Sequence, residues 1–225
     1  MQLKEIEKLA ASVMEKAVDA KEVAGVNLLV LKDKAPVLSL QAGYADLENK
    51  VLMADDTIMR LYSMSKPVTA ACMMILMQRG LVDLNDPVSK FIPAFANQTY
   101  VNGNALSLVQ RPMTVHDLLF MTSGLSYGSD SAAGKATSDL FAEMDARLST
   151  KDAMTTREFA DRVGKNPLEF EPSSNFMYGI SADILGALIE VISGMSFAEF
   201  LKKEITDPLE MPDTGFFVPA QKQSR

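Results

Sequence analysis

The sequence predicts a mixed α/β chain: one amphipathic helix, one β-hairpin, then a long region that reads almost wholly as helix. Three observations predict it. Leu3, Ile6, Leu9, Val13 and Ala17 recur at helical spacing. Two β-rich runs flank the polar turn Lys32-Asp33-Lys34. Beyond residue 60, apolar residues follow the helical period, punctuated by capping residues and glycines.

In chain order, the first helix covers residues 2–20, and the hairpin pairs residues 25–32 with 36–44. The next helix contains "AACMMILM", apolar almost all round and therefore expected to be central and buried. Gly80 stands just past its end, where a left-handed residue closes a helix. Asp86-Pro87 reads as an N-cap followed by a proline at the first helical position. Thr114 caps "VHDLLFMTS". Thr155 with Glu158, and Ser196 with Glu199, have capping-box spacing. The small, polar stretch 126–137 reads as a surface loop, and "SADILGALIEVISG" as an apolar helix closed by Gly194. One hairpin is a marginal sheet with open edges. It needs a helical cover, or strands from elsewhere.

The chain has 225 residues, enough for one large or two small domains with a sizeable core. A net charge of −7 argues against nucleic acid or an anionic membrane surface as a partner, since both need a basic face. The single cysteine, Cys72, lies in an apolar run and reads as core. The first twenty residues have scattered charges and no apolar h-region, so they do not read as a signal peptide. No apolar run is long enough to span a bilayer. The expectation is a cytoplasmic chain.

The chemistry centres on "RLYSMSKPVTAACMMILMQRG", where Ser63 and Lys66 are three positions apart. Ser-x-x-Lys alone is weak, about one chance match in a chain this long. Pro67 strengthens it. Lacking an N–H, it places Ser63 at or just before the first helical turn, near free amides and the positive helix end. Lys66, one turn on, shares its face. Desolvation there tends to favour the neutral amine, which can take the serine proton, while a charged lysine can stabilise the developing alkoxide. The plainer reading is an N-cap serine and a solvated lysine, and this stretch alone leaves both open.

A rival serine, Ser126, stands in "GLSYG". That elbow motif needs a strand before it and a histidine after it. Here a helix precedes it, and the only histidine, His116, comes earlier. Gly124 is better read as ending that helix, and His116 as a helix-surface or packing residue. The single histidine, placed before Ser126, also counts against a Ser-His-Asp triad, and one His with one Cys leaves too few soft ligands for a metal site. The remaining base candidates are lysine and tyrosine. Tyr178, in "EPSSNFMYGISADILG", follows a loop that can aim its hydroxyl into a cleft. Beside a lysine ammonium its pKa would fall. A half-buried core tyrosine is the alternative.

Together, "SMSK", "MTVHDLLFMTSGL", "FEPSSNFMYGISADILGALIEVISG" and "PLEMPDTGF" resemble, in order and spacing, the serine β-lactamase-like superfamily, nearest to the class C-like esterases (family VIII carboxylesterases). The resemblance covers about residues 5–219. It implies a β-lactamase/penicillin-binding-protein-like fold, with residues 1–58 giving a helix and the first two strands and 59–225 an all-helical region. The antiparallel sheet would be partial, lacking its C-terminal strands. The resemblance makes Ser63 the acylated nucleophile, gives Lys66 and Tyr178 the acid and base roles, and makes the Ser63 amide half of an oxyanion hole. Tyr127 would line the substrate's acyl pocket. It implies hydrolysis of short acyl esters with no cofactor or metal. The alternatives are a β-lactamase, D-amino peptidase or acyltransferase, or a non-catalytic penicillin-recognising or acyl-binding fragment. Two positions depart from the family pattern: Ile180 replaces the asparagine of Tyr-x-Asn, which suits an esterase, and Met121 replaces a common histidine. The family's third motif and second oxyanion donor lie on a strand beyond these motifs. A small-molecule ester or lactam is the expected partner, with either a second copy or the remaining half of the fold pairing at the sheet edge.

Overall fold

The structure is a computed structural model and describes residues 3–225; residue 2 of the predicted first helix lies outside them. The chain divides into two compact units, residues 1–60 with 217–225, and residues 61–216.

In the first unit, α1 (Leu3–Asp19) precedes an antiparallel hairpin of β1 (Gly25–Lys32) and β2 (Ala35–Asp46). Asp33 and Lys34 both take positive φ (52° and 66°), the two-residue turn that matches strand twist. A short third strand, β3 (Val51–Leu52), pairs with β2. It carries little signal in the sequence, because two residues show no period. Asp46 turns the chain into it by accepting from the Glu48 and Asn49 amides at 2.9 and 3.0 Å. Met14 of α1 and Leu38 of β2 are buried, while Leu29, Leu31 and Leu52 stay exposed. Arg225 reaches back to Asp56 with a 3.0 Å ion pair.

The second unit is not all helical. β4 (Thr99–Asn102) and β5 (Ala105–Leu108) form an additional hairpin across Gly103-Asn104. The signal was present in "YVNGNALSL", where Gly103-Asn104 separates two alternating runs. The helices are α2 (Ser65–Gln78), α3 (Val115–Leu119), α4 (Ala132–Arg147), α5 (Thr156–Val163), α6 (Ser181–Ser193) and α7 (Phe197–Leu201). Their shared core includes Cys72, Met73 and Leu76 of α2 and Ile184, Leu188 and Ile189 of α6, all essentially inaccessible. Burial pushes the Cys72 thiol up to about 11, so it is an inert core group.

Several expectations change at the caps. Asp86-Pro87 opens only a 3₁₀ turn (Val88–Lys90), with Pro87 outside it. Asp86 instead accepts from the Asp83 amide and from Lys90. Thr155 caps α5, but Glu158 is drawn away to Arg147 at 2.6 Å and the box stays half-made. Ser196 and Glu199 form the complete box. The stretch 126–137 is not all loop: α4 begins at Ala132, because Ser131 accepts from the Gly134 amide at 2.9 Å. Gly124 does not end α3. Met121, at φ 58°, leaves the helix. Gly124 is instead required where a Cβ would come within 2.6 Å of the Phe170 carbonyl oxygen.

Asp117 is the hub of this region. It is wholly buried, and its carboxylate accepts from Arg111 (2.7 Å), the Thr114 amide and hydroxyl (both 2.8 Å), Thr122 (3.0 Å) and Ser173 (3.0 Å). Burial pushes its pKa up, but the Thr114 amide, Arg111 and the hydroxyls together hold it below the ordinary aspartate value. With a lowered folded pKa, its stabilising effect is complete above the ordinary value of about 3.9 and is lost as pH falls below it. Replacing Asp117 with alanine should cost about 3 kcal/mol in urea unfolding at neutral pH, because several buried donors lose their acceptor. A change within about 0.5 kcal/mol, typical of surface sites, would contradict this.

Candidate active site

Ser63 sits in a 3₁₀ turn, Tyr62–Met64, that runs directly into α2. Met64, not Ser63, is the residue before α2, and no side chain caps that helix. The plain N-cap reading of Ser63 therefore does not hold. The Met64 amide makes the first bond of the turn, to Leu61 O at 3.0 Å, leaving the Ser63 N–H ahead of the intrahelical bonds. Just before Ser63, Tyr62 has φ 47°, a left-handed conformation that costs an aromatic residue about 1–3 kcal/mol.

Lys66, in the first turn of α2, donates to Ser63 Oγ at 3.2 Å and to the Tyr127 hydroxyl at 2.8 Å. Its ammonium also stands 4.6 Å from the Tyr178 ring centroid and 5.5 Å from that of Tyr127. The two tyrosine rings are 6.1 Å apart. The four side chains singled out in the sequence thus converge on one point. Of the two states open to Lys66, its surroundings favour the charged one. Burial does lower the Lys66 pKa, but hydrogen bonds with Tyr127 and Tyr178 outweigh it and raise the pKa above the ordinary value. Tyr178 moves the other way: hydrogen bonding from Ser63, then from Lys66, lowers its pKa.

The loop carrying Tyr178 is stitched to the loop after α3. Ser173 takes φ 72° and donates its amide to Thr122 O (2.8 Å) and its hydroxyl to Asp117. The Met177 amide donates to Met121 O at 2.9 Å. Gly179 passes so close to Leu125 that any Cβ would collide with its carbonyl. Ser123 and Ser181, both buried, share a 2.8 Å hydroxyl bond. Ile180 is fully buried in the core, so the position two after Tyr178 offers no polar group to the site.

Ser126, the rival, is buried and donates to Glu169 at 3.0 Å. His116 stacks on Phe120 at 4.3 Å, a packing role. Sequence reasoning missed three participants: Tyr127 as the direct partner of Lys66, Asp117 behind the Tyr178 loop, and Asp183. Asp183 lines the same cavity as Ser63 and Lys66. Solvent reaches it through the cavity, yet desolvation pushes its carboxyl up, against its own amide and the Lys66 charge. Its place five residues after Tyr178, in the first turn of α6, was the available signal.

The family profile described as Beta-lactamase matches residues 10–225. The chain belongs to the beta-lactamase family. Among members similar to it, Esterase EstB of Burkholderia gladioli is 30% identical over 210 residues, covering 91% of this chain and 50% of EstB. The solved structure of EstCE1, a hydrolase with promiscuous acyltransferase activity, superposes with a TM-score of 0.81 at 28% identity, over 97% of this chain and 55% of that one. D-amino acid amidase from Ochrobactrum anthropi gives a TM-score of 0.68 at 25% identity, over 96% and 54%. The chain spans about half the length of these relatives. The fold is that of the β-lactamase/penicillin-binding-protein class, a mixed α/β chain with small antiparallel sheets.

Changing Tyr127 to phenylalanine removes the 2.8 Å bond to Lys66 while leaving the burial in place. The Lys66 pKa should then fall, read by ¹³Cε-lysine NMR titration. An unchanged titration would show that Tyr127 does not hold the ammonium.

Proposed function

We propose that this chain carries the nucleophile and the proton-transfer machinery of a serine esterase that works through an acyl-enzyme on short acyl esters. The observation that carries the reading is the shared contact of Lys66 with Ser63 and Tyr127, beneath Tyr178. Ser63 Oγ accepts from Lys66, which leaves its own proton free to pass to Tyr178. With Lys66 held charged and Tyr178 shifted towards phenolate, Tyr178 is the base and Lys66 the fixed positive charge beside it. As the Ser63 proton moves to the Tyr178 oxygen, Oγ bonds to the ester carbonyl carbon. Tyr178 then returns that proton to the departing alkoxide. Water, deprotonated by Tyr178, releases the acid; an alcohol in its place gives transesterification.

The Ser63 amide supplies one oxyanion donor. If the second belongs to the remaining half of the family's fold, the isolated chain acylates about a hundred- to a thousandfold more slowly than the whole enzyme. The buried Ile180 and the esterase relative support an ester over a lactam. The amidase likeness supports a D-amino acid amide as the second substrate class.

Intact-mass analysis after treatment with a fluorophosphonate and with p-nitrophenyl butyrate should show one adduct that is absent in Ser63→Ala and retained in Ser126→Ala. An adduct that survives in Ser63→Ala would overturn the assignment. Nitrocefin turnover exceeding ester turnover would favour a β-lactamase.

The ionisation assignment has its own readout. The acylation rate should rise with pH through a value below the ordinary tyrosine 10.0 and fall only above the ordinary lysine 10.5, where Lys66 loses its proton. A rate that rises only as Lys66 deprotonates would make the lysine the base instead.

A further inference from the structure

Beyond Ser63 and Lys66, the same cavity, of ≈ 560 Å³, continues between α2, α4, α5 and α6. That volume is in the range of pockets that enclose whole drug-sized ligands, about 300–1,000 Å³, and far exceeds the needs of an acetyl group. Its far walls are Phe141, Met144, Met154, Phe159, Phe197 and Phe216. Phe141 and Phe159 pack at 5.8 Å, and Phe197 and Phe216 meet edge to face at 5.4 Å. Methionines among aromatic rings make an adaptable apolar lining.

One residue in this lining is a glycine that its backbone conformation does not require. Two glycines lie within helices, Gly134 of α4 and Gly186 of α6. A Cβ on Gly134 would come within 2.1 Å of the Ser129 amide, so glycine is required there. At Gly186 the backbone is ordinary helix, and a Cβ would meet only the Phe197 ring, at 3.4 and 3.7 Å, which is ordinary contact. A glycine inside a helix destabilises it relative to alanine. Neither backbone conformation nor close packing explains this one. What the missing side chain leaves is space in the cavity, beside Asp183 and three positions from it on the same face of α6.

We propose that the esterase takes a bulky, uncharged apolar acyl group, of octanoyl or phenylbutanoyl size, and that Gly186 is the residue that admits it. This rests on the esterase reading but replaces its short acyl group with a longer one. The acyl chain runs from Ser63 into the Phe and Met lining. Asp183, on the same wall, makes an anionic acyl group the poorest fit, and the Lys66 ammonium is already engaged by Tyr127.

The test compares p-nitrophenyl octanoate with p-nitrophenyl acetate by the rate of Ser63 acylation, in wild type, Gly186→Ala, Gly186→Leu and, from another wall, Met154→Phe. The wild type should favour octanoate. The octanoate-to-acetate ratio should fall about tenfold or more in Gly186→Leu, and in the same direction in Met154→Phe. Gly186→Ala should melt no lower than wild type. A ratio that is the same in all folded variants, or a Gly186→Ala variant that melts well below wild type, would overturn the proposal. If no ester labels Ser63, the esterase reading fails on its own, and ligand-observed NMR with 2-decanone still reads the cavity. Binding lost in Gly186→Leu supports the apolar pocket; binding absent in wild type or unchanged in the variant overturns it.

Discussion

The site depends on where one ammonium is held. Lys66 Nζ bonds to Tyr127 at 2.8 Å and to Ser63 at 3.2 Å, and it lies against the Tyr178 ring. Those contacts raise its pKa, and in the proposed esterase its charge decides which group is the base. A neutral lysine would itself take the serine proton; a charged one would leave that role to Tyr178 and stabilise the phenolate electrostatically. The strained backbone at Tyr62 and the proline at position 67 place Ser63 and Lys66 on one short turn, so the pair is set by local geometry.

Tyr127 and Tyr178 come from loops far apart in sequence, and their placement is a packing problem. Asp117 solves much of it. Its carboxylate ties the start of α3 to Thr122 and Ser173, and those two residues join the loops that carry the tyrosines. Gly179 and the Ser123–Ser181 bond hold the rest of the seam. Behind this seam, α6 serves two ends: its first turn presents Asp183 to the cavity, while its opposite face, with Ile184 and Leu188, fills the core.

Much of this was legible in the sequence because it is local. The first helix, the first hairpin, the Gly80 and Gly194 closures and the Ser196–Glu199 box all follow from neighbours within a few residues. Ser63 and Lys66 were legible for the same reason, one turn apart beside a proline. What was not legible needed partners distant in sequence. Lys66 reads as a desolvated amine until Tyr127, 61 residues away, supplies a hydrogen bond. Glu158 has capping-box spacing, yet Arg147 takes its carboxylate. Asp117 looks like an ordinary first-turn acid until Ser173 arrives at 3.0 Å. The β4–β5 hairpin is the exception: its Gly103-Asn104 turn was in plain view, and the helical pattern around it outweighed a correct local signal.

In the proposed mechanism Tyr178, and not Lys66, takes the proton of Ser63. The chain has five tyrosines and no tryptophan, so phenolate absorbance near 295 nm can be titrated directly. The most direct measurement is that titration in wild type, Tyr178→Phe and Lys66→Met. One tyrosine should ionise below the ordinary value of about 10 in wild type. It should be absent in Tyr178→Phe and return to the ordinary range or above in Lys66→Met. A Tyr178 that ionises at or above the ordinary value with Lys66 intact would contradict the account and return the role of base to the lysine.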